Sequence, residues 1–230
     1  MRSRDTHRTH DIPRLDTVRN HPDVVEFLRK GDEVLEVLGY TEHGTRHASL
    51  VAHIAYNVLE RLDYPLEVAE LAAVAGYLHD VGNFVARHEH AQWAALVAYH
   101  VLRELNFTPA ECATVMTAIG NHDEEMGRVP DPVSAALILG DKSDVHRSRV
   151  RDPSTTASDI HDRVNYSAER SFLNVDPAAR RITLELTIDT TVSGVIEYFE
   201  IFLSRMIMCR RAAEVLGCAF QMEINGQKLF

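Results

Sequence analysis

Between Pro22 and His146, apolar residues recur three or four positions apart through six successive stretches joined by short connections. Such a run leaves little choice of architecture. Each stretch buries one face, and the economical partners for a buried helical face are neighbouring helices. Val24, Val25 and Leu28, then Val34, Leu35 and Leu38, mark the first stretch, and Gly39 is placed to end it. The others cover about 44–62, 66–80, 90–105, 109–121 and 131–146, and the separators include Asp63-Tyr64-Pro65, Gly82-Asn83 and Asn106-Phe107-Thr108-Pro109. The expectation is an α-helical domain over residues 21–151, preceded by a charged, aperiodic and loosely held arm at 1–20.

After Arg151 the texture changes. A polar segment at 152–158 leads to a short helix at about 159–167, and Arg181 to Ile188 alternates strictly, as a half-buried strand does. Ser171–Val175 reads as its partner across Asp176-Pro177, a long helix follows at 192–216, and Cys218–Ile224 closes the sheet before the Asn225-Gly226 turn. The chain is thus expected to be mainly α, with a small α+β module at 152–230. The long helix carries Val195, Ile196, Tyr198, Phe199, Ile201, Phe202, Leu203, Met206, Ile207 and Met208, more apolar surface than one small sheet should cover. A homodimer through this module is the expected consequence.

Composition narrows the functional classes. The chain has 230 residues, 45% of them hydrophobic and 25% charged, as a soluble globular protein would have. Its net charge of −10 argues against bulk nucleic-acid binding. Cys112, Cys209 and Cys218 form no CxxC pair and read as small buried hydrophobes, so neither a disulfide framework nor a thiolate zinc site is expected. MRSRDTHRTHDIPRLD lacks the apolar segment of a signal peptide, and Glu197, Glu200, Arg205, Arg210, Arg211 and Glu214 interrupt the one long apolar stretch. No membrane association and a cytoplasmic location are expected.

Thirteen histidines stand against three lysines. His47, the pair His79-Asp80, His90, His122 and Asp141 fall on or at the ends of different predicted helices, the distribution that a metal site in a helical bundle requires. Imidazole and carboxylate donors without thiolate suit Mn, Fe, Co, Ni, Zn or Mg, acting as a Lewis acid or as a source of hydroxide. Neighbours in a regular helix point about 100° apart, but a helix end broken by Gly82 can turn both His79 and Asp80 inward. His7, His10, His21, His53, His146 and His161 read as surface or satisfied core residues, and Trp93 and Met116 as core.

Arg46-His47, Leu78-His79-Asp80-Val-Gly-Asn83, His90, Ile119-Gly-Asn-His122-Asp-Glu and Gly140-Asp141-Lys-Ser-Asp144 resemble the H…HD…H…H…D pattern of the HD superfamily of metal-dependent phosphohydrolases. The resemblance covers about residues 40–150. It implies a helical bundle in which His47, His79, Asp80 and Asp141 hold one metal, with His90, His122 and a bridging Asp80 holding a second. His88 and His100 are alternatives to His90, which is preferred because it opens its helix, and His43 could join the site or stand behind it. Asn121 before His122, and Met126-Gly-Arg-Val-Pro130 after it, depart from the cyclic-dinucleotide phosphodiesterase branch. Gly120-Asn-His-Asp123 and Gly140-Asp-Lys-Ser-Asp144 also match two signatures of calcineurin-like metallophosphoesterases, but in reversed order and on predicted helices rather than strand ends.

The activity that the resemblance implies is hydrolysis of a small-molecule phosphomonoester or phosphodiester, a nucleotide among the candidates, by metal-activated water. Asp80 and Lys142 are expected to carry catalysis, and Lys142, Arg46, Arg87 and Arg147 to contact substrate phosphate. An HD-fold di-iron oxygenase would use the same kind of ligand set. A metal-containing sensor or assembly module without turnover is the third reading.

Overall fold

A computed structural model describes residues 12–124 and 127–229. Among them lie nine α-helices: α1 (Pro13–Arg19), α2 (Pro22–Val37), α3 (Thr45–Arg61), α4 (Leu66–Leu78), α5 (His90–Glu104), α6 (Pro109–Gly120), α7 (Pro132–Lys142), α8 (Ile160–Ser167) and α9 (Val195–Val215). A four-stranded sheet follows the order β1 (Ala168–Asp176), β2 (Arg181–Ile188), β3 (Ala219–Ile224), β4 (Gln227–Lys228). The mainly helical bundle with a C-terminal α+β part is the architecture the sequence calls for.

Helix α4 is apolar on every side, which suits only a helix enclosed by others, and every residue from Ala69 to Leu78 is buried. It packs against α1, α3, α5, α6 and α7. Local signals set the neighbouring helix starts. Proline occupies the first turn of α1, α2, α6 and α7, where its missing N–H costs nothing. Thr108 and Glu111 form a reciprocal capping box on α6, and Asp131 accepts the Ser134 N–H at 2.8 Å to start α7. Helix α7 stops at Lys142, four residues short of the sequence expectation. There Ser143 Oγ donates back to the Gly140 carbonyl at 2.8 Å, and the chain turns to bring Asp144 inside.

Two glycines let elements approach more closely than a side chain would allow. A Cβ at Gly76 would lie 2.9 Å from the Ala52 backbone, so α4 crosses α3 almost backbone to backbone. At Gly82 it would lie 2.3 Å from the His90 carbonyl oxygen and 2.4 Å from the Ala94 nitrogen, so the 3-10 turn Val81–Phe84 seats directly on the start of α5. The buried face of α5 is correspondingly small, with Ala91, Ala94, Ala95 and Ala98. Trp93 therefore points outward and is 40% exposed, which corrects its assignment to the core, while Met116 packs partly buried against the core.

Part of the stretch expected as a loosely held arm at 1–20 is packed helix. Ile12, Leu15 and Val18, three residues apart, are buried by α1 against the bundle, and Arg14 pairs with Glu70 and Glu111. Residues 1–11 lie outside the described residues.

Strands β1 and β2 form an antiparallel hairpin from Ala168↔Ile188 to Asp176↔Arg181, whereas β3 runs parallel to β2 from Arg181↔Ala219 to Leu186↔Ile224. Parallel neighbours need a crossover, and α9 supplies it. This helix packs on α7 as well as on β2 and β3. Tyr198, Phe202, Met206, Met208 and Cys209 are consequently buried within the chain, and the apolar excess expected of α9 reduces to Ile196, Leu203 and Ile207. All three cysteines are buried free thiols, with burial pushing Cys209 up to about 12. Among the described residues no helix is long and apolar enough to cross a membrane.

Leu15 is fully buried, so Leu15→Ala should cost about 2–4 kcal/mol of unfolding free energy in a denaturant titration. A cost below about 0.5 kcal/mol would return α1 to a dispensable arm.

Candidate metal centre

His47 lies in the first turn of α3, His79 follows the last residue of α4, His90 opens α5, and His122 follows α6. Each ring is tied from outside. His47 Nδ1 donates to Asp144 Oδ2 at 2.7 Å, His79 Nδ1 to the Gly76 carbonyl at 2.8 Å, His90 Nδ1 to the Arg87 carbonyl at 3.2 Å, and His122 Nδ1 to the Ile119 carbonyl at 2.6 Å. Carbonyl and carboxylate oxygens only accept, so Nδ1 carries the proton in every ring and the Nε2 atoms are left to face the interior.

The Nε2 atoms meet in pairs: His47 and His79 at 3.2 Å, His90 and His122 at 3.2 Å. At that separation one nitrogen of a pair must carry a proton or a cation must lie between them, since two bare lone pairs repel. Two imidazole nitrogens bound at about 2.0–2.1 Å to one ion, at tetrahedral or octahedral angles, stand about 2.8–3.4 Å apart. Asp80 serves both pairs. Its Oδ2 lies 3.6 Å from His47 Nε2 and 3.4 Å from His79 Nε2, and its Oδ1 lies 3.4 Å from His90 Nε2. Asp141 Oδ1 completes the first set, at 3.5 Å from His47 Nε2 and 3.7 Å from His79 Nε2. The donor set fits divalent metal: imidazole nitrogens and carboxylate oxygens, no thiolate, each donor oriented inward before any ion arrives.

The adjacent His79 and Asp80 both turn inward because regular helix ends at Leu78 and a 3-10 turn begins at Val81. Asn83 holds that break, since its N–H and its Nδ2 both donate to the Asp80 carbonyl at 3.0 Å. Of the three candidate third histidines, the structure brings His90 to the centre, whereas His100 is exposed on α5 and pairs with Glu104. His43 stands behind the site, with its ring edge-on to His47 at 5.4 Å and its Nδ1 on the Thr41 carbonyl.

Burial and charge shape the proton inventory. Burial works against charging His79, but Asp80 and Asp141 outweigh it and raise the imidazole to about 10. His122 goes the other way: burial, with His79 and His90 adding to it, holds it near 3. Burial likewise lowers His90. Asp80 and Asp141 stay well below the usual carboxylate range because their cationic neighbours, His79 for the first and Lys142 for the second, overcome the burial that opposes ionisation. In the metal-free chain a proton on His79 thus supplies positive charge that the carboxylates require.

The cations expected at phosphate are placed unequally. Lys142 is buried, with Nζ 2.7 Å from Asp141 Oδ2 and 2.5 Å from Glu124 Oε2. Arg46 bonds Asp144 and Glu42, and Arg87 donates to Asn83 Oδ1 at 3.2 Å while lying over Tyr40. Arg147 pairs with Glu169 at 3.0 Å and covers the Tyr166 ring, which joins its turn to β1 and α8. Of the donors Asp141 is the most exposed, its side chain 13% exposed against 0–5% for the four histidines and Asp80.

Three contributors escape sequence reading. Asp144 appears in the quoted motif, three residues after Asp141, but its role as the acceptor that fixes His47 does not follow from spacing. Glu124 and Arg205 join the mouth through a 3.1 Å ion pair between the loop after α6 and α9, a contact 81 residues apart in sequence.

The family model for the HD domain matches residues 44–163, more than half of the chain. The chain belongs to the HD domain family, whose members are typically metal-dependent hydrolases. A search of curated proteins finds no match.

Metal must displace the His79 proton, whereas Asp80 and Asp141 are already ionised and His122 already neutral. Divalent metal uptake at pH 8 should release about one proton from His79, and affinity should rise with pH through neutrality and level off near 10. Calorimetry in buffers of different ionisation enthalpy reads the proton count, and a pH-independent affinity would contradict this charge assignment.

Proposed function

We propose that this protein is a metal-dependent phosphohydrolase in which His47, His79, Asp80 and Asp141 hold one divalent ion, and His90, His122 and Asp80 a second. The supporting observation is the sharing of Asp80, whose two oxygens face different pairs of Nε2 atoms. A divalent ion in such a site supplies Lewis acidity and acidifies a coordinated water toward neutrality. The chain's own part is positional. The Nδ1 bonds keep the imidazoles aimed, Asp80 fixes the spacing of the two donor sets, and Lys142 offers an ammonium beside Asp141 to negative charge developing on a phosphoryl oxygen. Arg46, Arg87 and Arg147 are placed less favourably for phosphate, since they bond Glu42 and Asp144, Asn83 and Glu169, whereas Lys142 bonds Asp141 itself. The substrate class is a small phosphomonoester or phosphodiester, and three free, buried thiols suit a reducing cytoplasm.

The protein should hydrolyse p-nitrophenyl phosphate or bis(p-nitrophenyl) phosphate in the presence of divalent metal and stop when chelator is added. Asp80→Asn should remove most bound metal and lower the rate at least about 100-fold with the helical signal unchanged. Full metal occupancy in that variant would overturn the bridging role. Oxygen consumption by the iron-loaded protein, without ester hydrolysis, would favour the oxygenase reading.

We also propose a homodimer through α9. Ile196, Leu203 and Ile207, spaced seven and four apart, form one exposed stripe and are 81%, 53% and 37% exposed. Light scattering at micromolar concentration should give twice the 25.9 kDa chain mass, and Leu203→Glu should return it to one. A wild-type monomer would end this proposal.

A further inference from the structure

Glu124 sits at the mouth of the metal centre between two cations from different parts of the fold. Lys142, at the end of α7, meets its Oε2 at 2.5 Å, and Arg205, from α9, meets its Oε1 through Nε at 3.1 Å. The same ammonium lies 2.7 Å from Asp141 Oδ2, and the other oxygen of Asp141 faces the Nε2 atoms of His47 and His79. A carboxylate therefore occupies a place one lysine nitrogen away from a donor of the centre. The arrangement is anchored from beneath: the Lys142 side chain is only 6% exposed, and the Phe202 ring supports the Arg205 guanidinium at 4.5 Å. Glu124 and Arg205 are each 23% exposed, and Asp141, which shares Lys142 with Glu124, is 13% exposed.

We propose that Lys142 and Arg205 form an anion subsite for the phosphoryl group of the substrate, and that Glu124 fills this subsite with its own carboxylate until phosphate displaces it. The inference rests on the hydrolase reading of the centre and adds to it the residue that α9 contributes. Three arguments support it. The phosphoryl group of a monoester presents three terminal oxygens where a carboxylate presents two, so it can engage Lys142, Arg205 and the metal centre together. An arginine suits that geometry better than a second lysine, because its planar fork can take two oxygens at once. Two divalent ions would carry more charge than Asp80 and Asp141 neutralise, and the excess attracts an anion to this mouth. Glu124 is then a tethered competitor. It lowers apparent phosphate affinity and spares Lys142 and Arg205 from facing each other unneutralised when no substrate is bound.

The test uses the full chain loaded with Mn2+ and titrated calorimetrically with inorganic phosphate, so that no turnover is required. Glu124→Gln, with metal content and helical signal unchanged, should bind phosphate about tenfold more tightly than wild type. Adding Arg205→Gln to that variant should remove about tenfold again. Phosphate affinity unchanged or weakened in Glu124→Gln, or unaffected by Arg205→Gln in its background, overturns the subsite. If Glu124→Gln loses metal, Glu124→Asp replaces it: the shorter carboxylate reaches both cations less well, and tightened phosphate binding is again expected, with no tightening counting against the proposal. Tight phosphate binding in Glu124→Gln without hydrolysis of any phosphate ester by wild type would overturn the hydrolase reading and leave the anion subsite standing.

Discussion

Four imidazole N–H groups that bond outward keep four Nε2 atoms pointing in, and much of the bundle is arranged to hold that orientation. The acceptors are three main-chain carbonyls, each three residues before its histidine, and the buried carboxylate of Asp144. A carbonyl in the last turn of a helix lacks an N–H partner further along that helix, so a histidine placed at or just past the end can bond it with its ring. His79 does so on Gly76, and His122 adds its ring N–H to the Ile119 carbonyl that its own backbone N–H also meets, at 3.3 Å. The positions of the helix ends are thus part of the chemistry, and the close approaches at Gly76 and Gly82 bring those ends within ligand distance of one another.

Concentrating carboxylates in a dry interior is costly, and a ring of cations offsets the cost. Arg149 donates to the Asp144 and Glu42 carbonyls, at 2.8 and 3.2 Å, while the Glu42 N–H donates to the Arg149 carbonyl at 2.8 Å. The segment after α7 is thereby strapped to the segment that starts α3. Burial opposes the ionisation of Asp144, but Arg149, His47 and Arg46 overcome it and keep the group well below the carboxylate range. Buried ion pairs of this kind contribute less to net stability than to holding one arrangement, because desolvation cancels much of their attraction.

The helix order, the helix end at His79-Asp80 and the position of His90 at the start of α5 were legible because they depend on periodicity, on a glycine and on a helix start, all local features. The strict alternation of Arg181–Ile188 likewise marked β2. What could not be read depends on distant packing. The outward turn of Trp93 follows from the contact of Gly82 with α5, and the burial of Tyr198 and Met206 from the seating of α9 on α7. Helix α1 had a signal in Ile12, Leu15 and Val18, but three residues on a seven-residue helix are too few to stand out against the charged segment before them.

The parallel pairing of β2 with β3 carries a consequence for biosynthesis. A ribosome delivers His47 through Asp141 long before β3, and the ligand-bearing helices can associate while the rest of the chain is still being made. Arg205 lies within the crossover that β2 and β3 pull tight, so its place at the mouth is secured only once Ala219–Ile224 has left the exit tunnel and paired. A nascent chain can therefore gather its metal donors well before its entrance acquires its final charge.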